Sequence, residues 1–496
     1  MARREKSMST TRRSFIGCAG AAFAALAGRG LAAAQGAGLA AGKRRLRIGI
    51  VSDIHVTNEE SAQRFKAALE YFRSIGVDGV CIPGDLADGG VKPQLAIVAD
   101  TWFKVFPDNK GDGGKYVEKL FIYGNHDIGG HKYSYPEGKT KSKEWMDANA
   151  TQLGDHRKVF WEELFKEPWE PIWKKSVNGY TFVGGSWSRG PFHVDGAPQW
   201  LRNHADELRG EKPFFYIQHP HPKGTIPYVW SGDDGTITAA LREFPNAVAL
   251  TGHSHAAIVD ERSIWQGEFT CINAGSLRYT SVNGGRENSR TFGVEDPKTS
   301  QMFFIWAPDG APTLTMDVYD DAIVFARYDV ACREPIGEDW VVPWSNGTGH
   351  DYSFADRAKR LPVPQFAPNA KVTVSERRGK NRRKEDVDQV VVEFPNVRKM
   401  EGSLARAYDF EVMCEVRDFD VERSHLVKRV FSPKFYLPES KDSKTVTCVF
   451  AKDELPKPFK VNDGLQRPTI AWRFVVRPCS SFGKKGSPIS TDWFAA

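Results

Sequence analysis

Five short polar clusters, each following an apolar run of strand length, constrain this chain more than any other feature. In chain order they are Asp53-Ile54-His55, Gly84-Asp85-Leu86-Ala87-Asp88-Gly89, Gly124-Asn125-His126-Asp127, His219 and Gly252-His253-Ser254-His255. The runs before them are Leu46 to Val51, Gly79 to Pro83, Leu120 to Tyr123, Phe214 to Gln218 and Ala247 to Leu250. Short apolar runs of this kind read as buried strands, and Tyr180 to Val183 is a further one without a cluster. Between them lie amphipathic stretches. Phe65, Ala68, Leu69 and Phe72 share one helical face, and Pro198 to Leu208 reads as another helix. Such alternation specifies a layered α/β domain. Open α/β sheets gather their ligands at the carboxyl ends of strands, so the five clusters are expected to meet in space.

The residue types then narrow the chemistry. Asp and His suit hard or borderline divalent cations, Asn adds a neutral oxygen, and the lack of cysteine in the set argues against a structural zinc site. Glycines beside Asp85, Asn125 and His253 let the backbone turn tightly near an ion. One such cluster alone is an ordinary surface turn. Five in order, each behind an apolar run, leave little room for that reading. At the fourth cluster Gln218-His219-Pro220-His221 offers two histidines; His219 ends the apolar run and is preferred, with His221 as a residue that faces substrate.

These clusters resemble those of the calcineurin-like metallophosphoesterase superfamily, over about residues 46–346. The resemblance implies a four-layer α/β/β/α sandwich with a dinuclear metal site. Carried over residue by residue, one ion is held by Asp53, His55, Asp85 and His255, and the other by Asp85, Asn125, His219 and His253, with Asp85 bridging. His126 lies beside them as proton donor or transition-state stabiliser, and Asp88 and Asp127 are candidates to orient an imidazole or the backbone from behind, with a helix-cap or turn role the equal alternative for each. Two divalent ions (Mn, Fe or Zn) roughly 3.5–4 Å apart would share a hydroxide, align it for in-line attack and neutralise phosphate oxygens. The implied activity is hydrolysis of a small phosphoester, a phosphodiester first and a nucleotide or sugar phosphomonoester second. A noncatalytic cell-envelope binding protein is the reading from a different class, and a lost ligand would be its mark.

Departures from relatives add information. Gly89 stands where the serine/threonine protein phosphatases of the superfamily have an arginine, and Asp88 where purple acid phosphatases have a metal-binding tyrosine. Both subgroups are thereby disfavoured, and bacterial phosphodiesterases are the nearer likeness. Trp187, Arg189, His193, Tyr228 and Asn273 lie close to the clusters in sequence, yet core or surface packing explains each of them equally well.

The remainder of the chain sets the frame. Residues 1–34 resemble a twin-arginine export signal: Arg12-Arg13 precede the apolar stretch Phe15 to Gly28, and Ala32-Ala33-Ala34 offers a cleavage site. The stretch is short for a membrane span, and Cys18 precedes it where a lipid-attachment cysteine would follow. A periplasmic or otherwise exported protein without a transmembrane span after cleavage is the expectation. Six of the 68 basic residues and one of the 62 acidic ones lie in that segment, so the net +6 of the chain falls to near neutrality in its body. A neutral body gives no electrostatic reason for a nucleic-acid partner. Six cysteines remain (Cys81, Cys271, Cys332, Cys414, Cys448, Cys479) without a close CxxC pair. Export permits disulfides among them, and buried free thiols are the alternative.

Residues 347–369, rich in Gly, Ser, Pro and Asn, read as a linker, and residues 370–496 as a small all-β sandwich domain. There Tyr408, Phe410, Val412, Cys414 and Val416 share one strand face, as do Ile470, Trp472, Phe474 and Val476. Ser480 to Lys484 followed by Ser487 to Ser490 resembles the last strands of fibronectin type III modules. The basic run Arg377 to Lys384 reads as a solvated hairpin tip, and no partner of this module is legible.

Overall fold

The structure, a computed structural model, describes residues 42–495 apart from 135–140, 189–193, 227–231, 284, 288–301, 306–308, 345–353, 382–384, 419–420 and 457–469. The twin-arginine stretch, its cleavage residues and Cys18 therefore lie outside the described residues, as do Arg189, His193 and Tyr228.

Strands β1 (Leu46–Ile50), β2 (Gly79–Pro83) and β3 (Glu118–Ile122) run parallel. On its other side β1 pairs antiparallel with Pro312–Val318, which continues the sheet through Ala322–Asp329 to Trp340–Pro343. A second sheet is built from β4 (Ile172–Val177), β5 (Tyr180–Gly185), β6 (Phe214–Gln218), β7 (Ala247–Thr251), β8 (Ile264–Gln266) and β9 (Thr270–Asn273), in the order β4-β5-β6-β7-β9-β8. The pairs from β5 to β9 are parallel. Every residue of β2, β6 and β7 is buried, as expected of strands covered on both faces.

The core explains the layering. Ile48, Ile50, Cys81, Leu120 and Met316 from the first sheet meet Phe182, Phe215, Ile217, Val248 and Leu250 from the second, so the sheets pack face to face. On the outer face of the first sheet, Phe65, Leu69 and Phe72 from helix Ala62–Ser74 join Leu95, Val98 and Trp102 from helix Lys92–Val105. Leu201, Ile237 and Leu241 cover the other outer face. The result is the four-layer α/β/β/α sandwich, a mixed α/β fold of the metallophosphoesterase type.

Local differences from the sequence reading have local causes. The helix expected over Pro198 to Leu208 is two, Ala197–Asn203 and Ala205–Leu208. At the break, the His204 ring stacks on Trp200 at 3.8 Å and its Nδ1 lies 2.8 Å from the Trp200 carbonyl, competing for a helical acceptor. Within the stretch read as a linker, Phe354–Arg360 is a helix, anchored by Arg357 on Glu261 at 2.5 Å. The described cysteines are all free thiols, so the disulfide alternative finds no support among them.

Two further sheets follow in the C-terminal region. Thr373–Lys380, Asp386–Pro395 and Thr445–Ala451 form one; Asp409–Asp418, Val421–Phe431, Ala471–Cys479, Ile489–Ser490 and Phe494–Ala495 form the other. Val390, Val392 and Phe394 face Phe410, Val412, Cys414, Trp472, Phe474 and Val476 in a shared core. Of the face assigned to this core, Tyr408 alone lies elsewhere, in a separate cluster with Ala257 and Val282 of the first region. Arg377 to Lys380 belong to a paired strand, and exposed ion pairs Arg378–Asp388 and Lys380–Asp386 lie just before the turn. No described helix is long and apolar enough to cross a membrane.

Candidate metal centre

The loops after β1, β2, β3, β6 and β7 converge, because these strands are parallel within their sheets and the two sheets pack together. Asp53, His55, Asp85 and His255 offer ligand atoms all within 4.8 Å of one another, and so do Asp85, His219 and His253. Asp85 belongs to both groups. Asn125 joins the second group, its Oδ1 2.9 Å from His219 Nε2.

The hydrogen-bond partners on the far sides of the rings fix what points inward. His55 Nδ1 lies 3.1 Å from Asp88 Oδ1, His219 Nδ1 lies 2.7 Å from the Pro83 carbonyl, and His255 Nδ1 lies 3.0 Å from the Tyr279 carbonyl. Each of these partners only accepts, so each Nδ1 carries the hydrogen and each Nε2 presents a lone pair. Those lone pairs meet further acceptors: His255 Nε2 stands 2.9 Å from Asp53 Oδ1, and His219 Nε2 stands 3.1 Å from Asp85 Oδ2. His55 and His255 bring their Nε2 atoms to 3.3 Å. Asp53 Oδ1 and Asp85 Oδ2 are buried and receive no hydrogen bond. Acceptor against acceptor in a buried space is unfavourable unless positive charge sits between them. The donor set therefore fits divalent cations.

Electrostatics tell the same story for the protein alone. Burial by itself lowers the pKa of His219, but Asp85 and Asp53 outweigh burial and raise it to about 9. Asp53 goes the other way: burial raises it, yet His255 and His219 bring it to about 2. A site that holds its carboxylates ionised and recruits a proton onto a ligand histidine is one that seeks cations.

The backbone is bent to make this arrangement. Asp53, His55, Asp85, His253 and His255 all adopt left-handed φ values, between 43° and 60°. For non-glycine residues this costs about 1–3 kcal/mol each and persists where the surroundings over-determine it. Glycine is needed beside them for a different reason: a Cβ at Gly252 would collide with Asp53 Oδ2 and Ser52 Oγ, and one at Gly124 with Asp85 Oδ1.

His126 occupies the rim. Its backbone N–H donates to Asp85 Oδ1 at 2.8 Å, and its ring meets His55 edge-on at 4.5 Å between centroids. Its side chain is 22% exposed while those of His55, His219 and His255 are 4% or less, so a substrate can reach it, as it can the partly exposed His253. Nδ1 lies 2.9 Å from the Asp88 carbonyl. Burial lowers the pKa of His126, but Asp85 and both the carbonyl and carboxylate of Asp88 raise it above the ordinary histidine value.

The two remaining acids hold the frame. Asp127 accepts from the backbone N–H groups of Leu86, Ala87 and Gly124, tying the second loop to the third. Asp88 links His55 to Ser134, whose hydroxyl lies 3.2 Å from its second oxygen. His55, Asp88 and His126 also cluster closely. Both Nδ1 atoms there face oxygens of Asp88, which makes the trio a hydrogen-bonded support.

His221 stays apart from the ligand groups: it is buried, and burial pushes its pKa down to about 3. Trp187 packs against the site, its ring 5.6 Å from His253 and 6.0 Å from His219. Asn273 donates to the Gly252 carbonyl at 3.1 Å and to the Ser254 hydroxyl, bracing the His253–His255 turn. Sequence reasoning missed the turn after β9. Ser276 Oγ donates to the Asp53 carbonyl at 3.0 Å, the Tyr279 ring lies 4.2 Å from that of His255, and Arg64 Nη1 donates to the Leu277 carbonyl at 2.8 Å. No motif marks these residues; the signal was only that they follow a strand beside β7.

Asp and His side chains gathered at parallel strand ends of a four-layer α/β/β/α fold make a candidate metal centre. The family model of the calcineurin-like phosphoesterases matches residues 46–257, so this part of the chain is similar to that family. The first sheet extends past that match to Pro343. Among solved structures, a dimetal phosphatase from Danio rerio is similar at 12% identity, covering 61% of this chain and 100% of that one, with a TM-score of 0.38. GAP50 of Plasmodium, described as the anchor in the inner membrane complex, has 12% identity, 61% and 90% coverage and a TM-score of 0.36. Wild-type Vps29 from Entamoeba histolytica complexed with zinc has 13% identity, 60% and 99% coverage and a TM-score of 0.27. No curated protein matches.

Proposed function

We propose that the protein is a phosphodiesterase that works with two divalent cations. The observation that carries this reading is the convergence, in a buried space, of Asp53 and Asp85 oxygens with ring nitrogens of His55, His219 and His255. When bound, such a pair of ions supplies an acidified water for in-line attack and positive charge for the non-bridging phosphate oxygens.

The side chains of this protein do the rest. Asp53, His55, Asp85 and His255 hold one position, and Asp85, Asn125, His219 and His253 the other. Asp88 and the carbonyls of Pro83 and Tyr279 keep the imidazoles in the ligating tautomer. His126, reachable and raised in pKa, gives its Nε2 proton to the leaving oxygen while Nδ1 stays on the Asp88 carbonyl. Export by the N-terminal segment belongs to the same proposal, with the ions loaded before the folded protein crosses the membrane.

The test is turnover of bis(p-nitrophenyl) phosphate against p-nitrophenyl phosphate by protein reloaded with Mn, Fe or Zn after chelation. Faster diester cleavage, abolished in Asn125→Ala and His253→Ala, is the expected result. Preference for the monoester makes the protein a phosphomonoesterase. Cleavage unchanged by both substitutions, or none with any metal, removes the catalytic reading and favours a binding protein.

A further inference from the structure

We infer that the C-terminal sandwich is part of the metal centre's support, with Arg286 and Asp409 as positioning residues for His255. This rests on the two-cation reading above. The path is short and continuous. His255 gives its Nδ1 hydrogen to the Tyr279 carbonyl, and its own carbonyl accepts from Ser281 N at 2.9 Å. Ala256 and Ser281 form a parallel bridge, so the turn after His255 is zipped onto strand β10 (Thr280–Asn283). Position and tilt of the His255 ring therefore follow β10.

The sandwich holds β10 from behind. Val282 and Ala257, on the two zipped segments, are buried in one cluster with Tyr408, Phe431 and Phe435 of the sandwich. Phe431 and Phe435 stack at 4.4 Å, and Tyr408 meets both edge-on. The Arg262 guanidinium lies 5.3 Å over the Tyr408 ring. Just beyond β10, Arg286 donates through Nε and Nη2 to Asp409 Oδ2 at 2.9 and 2.7 Å, while Arg429 donates to Oδ1 at 2.5 Å. Glu287 N donates to the Arg429 carbonyl at 2.7 Å. Asp409 has no exposure, and a fully buried carboxylate shared by two guanidiniums is costly to disturb and geometrically exacting.

This arrangement bears unequally on the two ion positions. His255 serves the Asp53–His55–Asp85 position; at the other position Asn125 and His219 stand on loops that none of these contacts touches, and His253 precedes the segment His255–Ala256 that is zipped to Ser281. Weakening the clamp should loosen one ion and spare the other. Supports behind a ligating histidine are typically worth about 10–100-fold in metal affinity.

The experiment is Mn titration of the metal-stripped full chain, followed by calorimetry and by the EPR signal of the spin-coupled pair. In wild type two ions bind and the coupled signal appears. In Arg286→Gln one of the two dissociation constants is expected to rise about tenfold or more, the other to hold, and the coupled signal to be replaced by that of a single ion at limiting Mn. Arg286→Lys, which keeps the charge without the paired contact, should lie between. Glu415→Gln removes a sandwich ion pair with Arg473, 2.7 Å long and remote from β10, and should change neither constant. Should Arg286→Gln fail to fold, Arg286→Lys and Tyr408→Leu make the same comparison. Two ions bound with unchanged affinity overturn the positioning role, and so does equal weakening of both sites in Arg286→Gln and Glu415→Gln. Wild-type protein that takes up no Mn overturns the two-cation reading itself, and that is seen before any variant is made.

Discussion

In the α/β region, β1, β2 and β7 run out into loops whose Asp53, His55, Asp85, His253 and His255 are left-handed, turned toward one another and, His253 apart, buried. In the sandwich, neighbouring strands such as Thr373–Lys380 and Asp386–Pro395 are joined by a hairpin whose charged groups pair in solvent. Both regions bury apolar strand faces in the same manner. They differ in what happens at the strand ends: one stores backbone strain and crowded acceptors, the other pairs its charges across the strand ends in solvent. Strain and poor electrostatics concentrated in one place are what a ligand site looks like before its ligand is added.

That contrast can be broken most easily at its centre. Asp85→Asn removes the negative charge shared by both ligand groups, and diester turnover should fall by more than the roughly 100-fold that loss of an outer support costs; retained turnover with two ions bound would end the comparison. Phe474→Ala, in the sandwich core, should instead cost about 3–5 kcal/mol of stability. Denaturant unfolding would measure it, and turnover per folded molecule should be unchanged.

Asp88→Asn keeps the shape but weakens the hold on His55 Nδ1, so turnover should drop by about 10–100-fold with a raised Mn dissociation constant. An effect on stability alone would return Asp88 to an ordinary turn.

The pH dependence of the metal-stripped protein sharpens the electrostatic half of the contrast. His219 goes from 6.5 unfolded to about 9 folded. Its contribution to stability is complete below pH 6.5 and lost as pH rises through 9. Melting temperature should therefore fall over that window in stripped protein and less in Mn-loaded protein, where the ion replaces the proton. Mn affinity should rise over the same window. A flat melting profile for the stripped form would contradict the assignment. The smallest effect belongs to the hairpin: Arg378→Ala removes an exposed pair with Asp388 and should leave melting and turnover within error, since such pairs contribute little.

Much of the site was legible because its signals are local. Strand runs ending in Asp, His or Asn follow from short continuous apolar stretches, and Gly79–Pro83 and Phe214–Gln218 emerged with the same boundaries in the structure. Asp127 and Asp88 were readable as supports from their neighbours in sequence, though not which groups they would touch. Tyr279, Ser276 and Arg64 were not readable, since they act through backbone carbonyls and hydroxyls that any sequence supplies. Trp187 and Asn273 were visible only as residues near a cluster.

The sequence by itself determined the ligand types, their order, and the strands that carry them, because side-chain alternation and turn chemistry are properties of a few consecutive residues. Only the tertiary structure decided that His219 and not His221 joins Asp85, that His126 is the ring left at the rim, and that Tyr408 leaves its own domain's core for Ala257 and Val282. Those outcomes depend on how two sheets and a sandwich pack against one another across hundreds of residues, and such distances are set by the fit of whole surfaces and not by any stretch of chain.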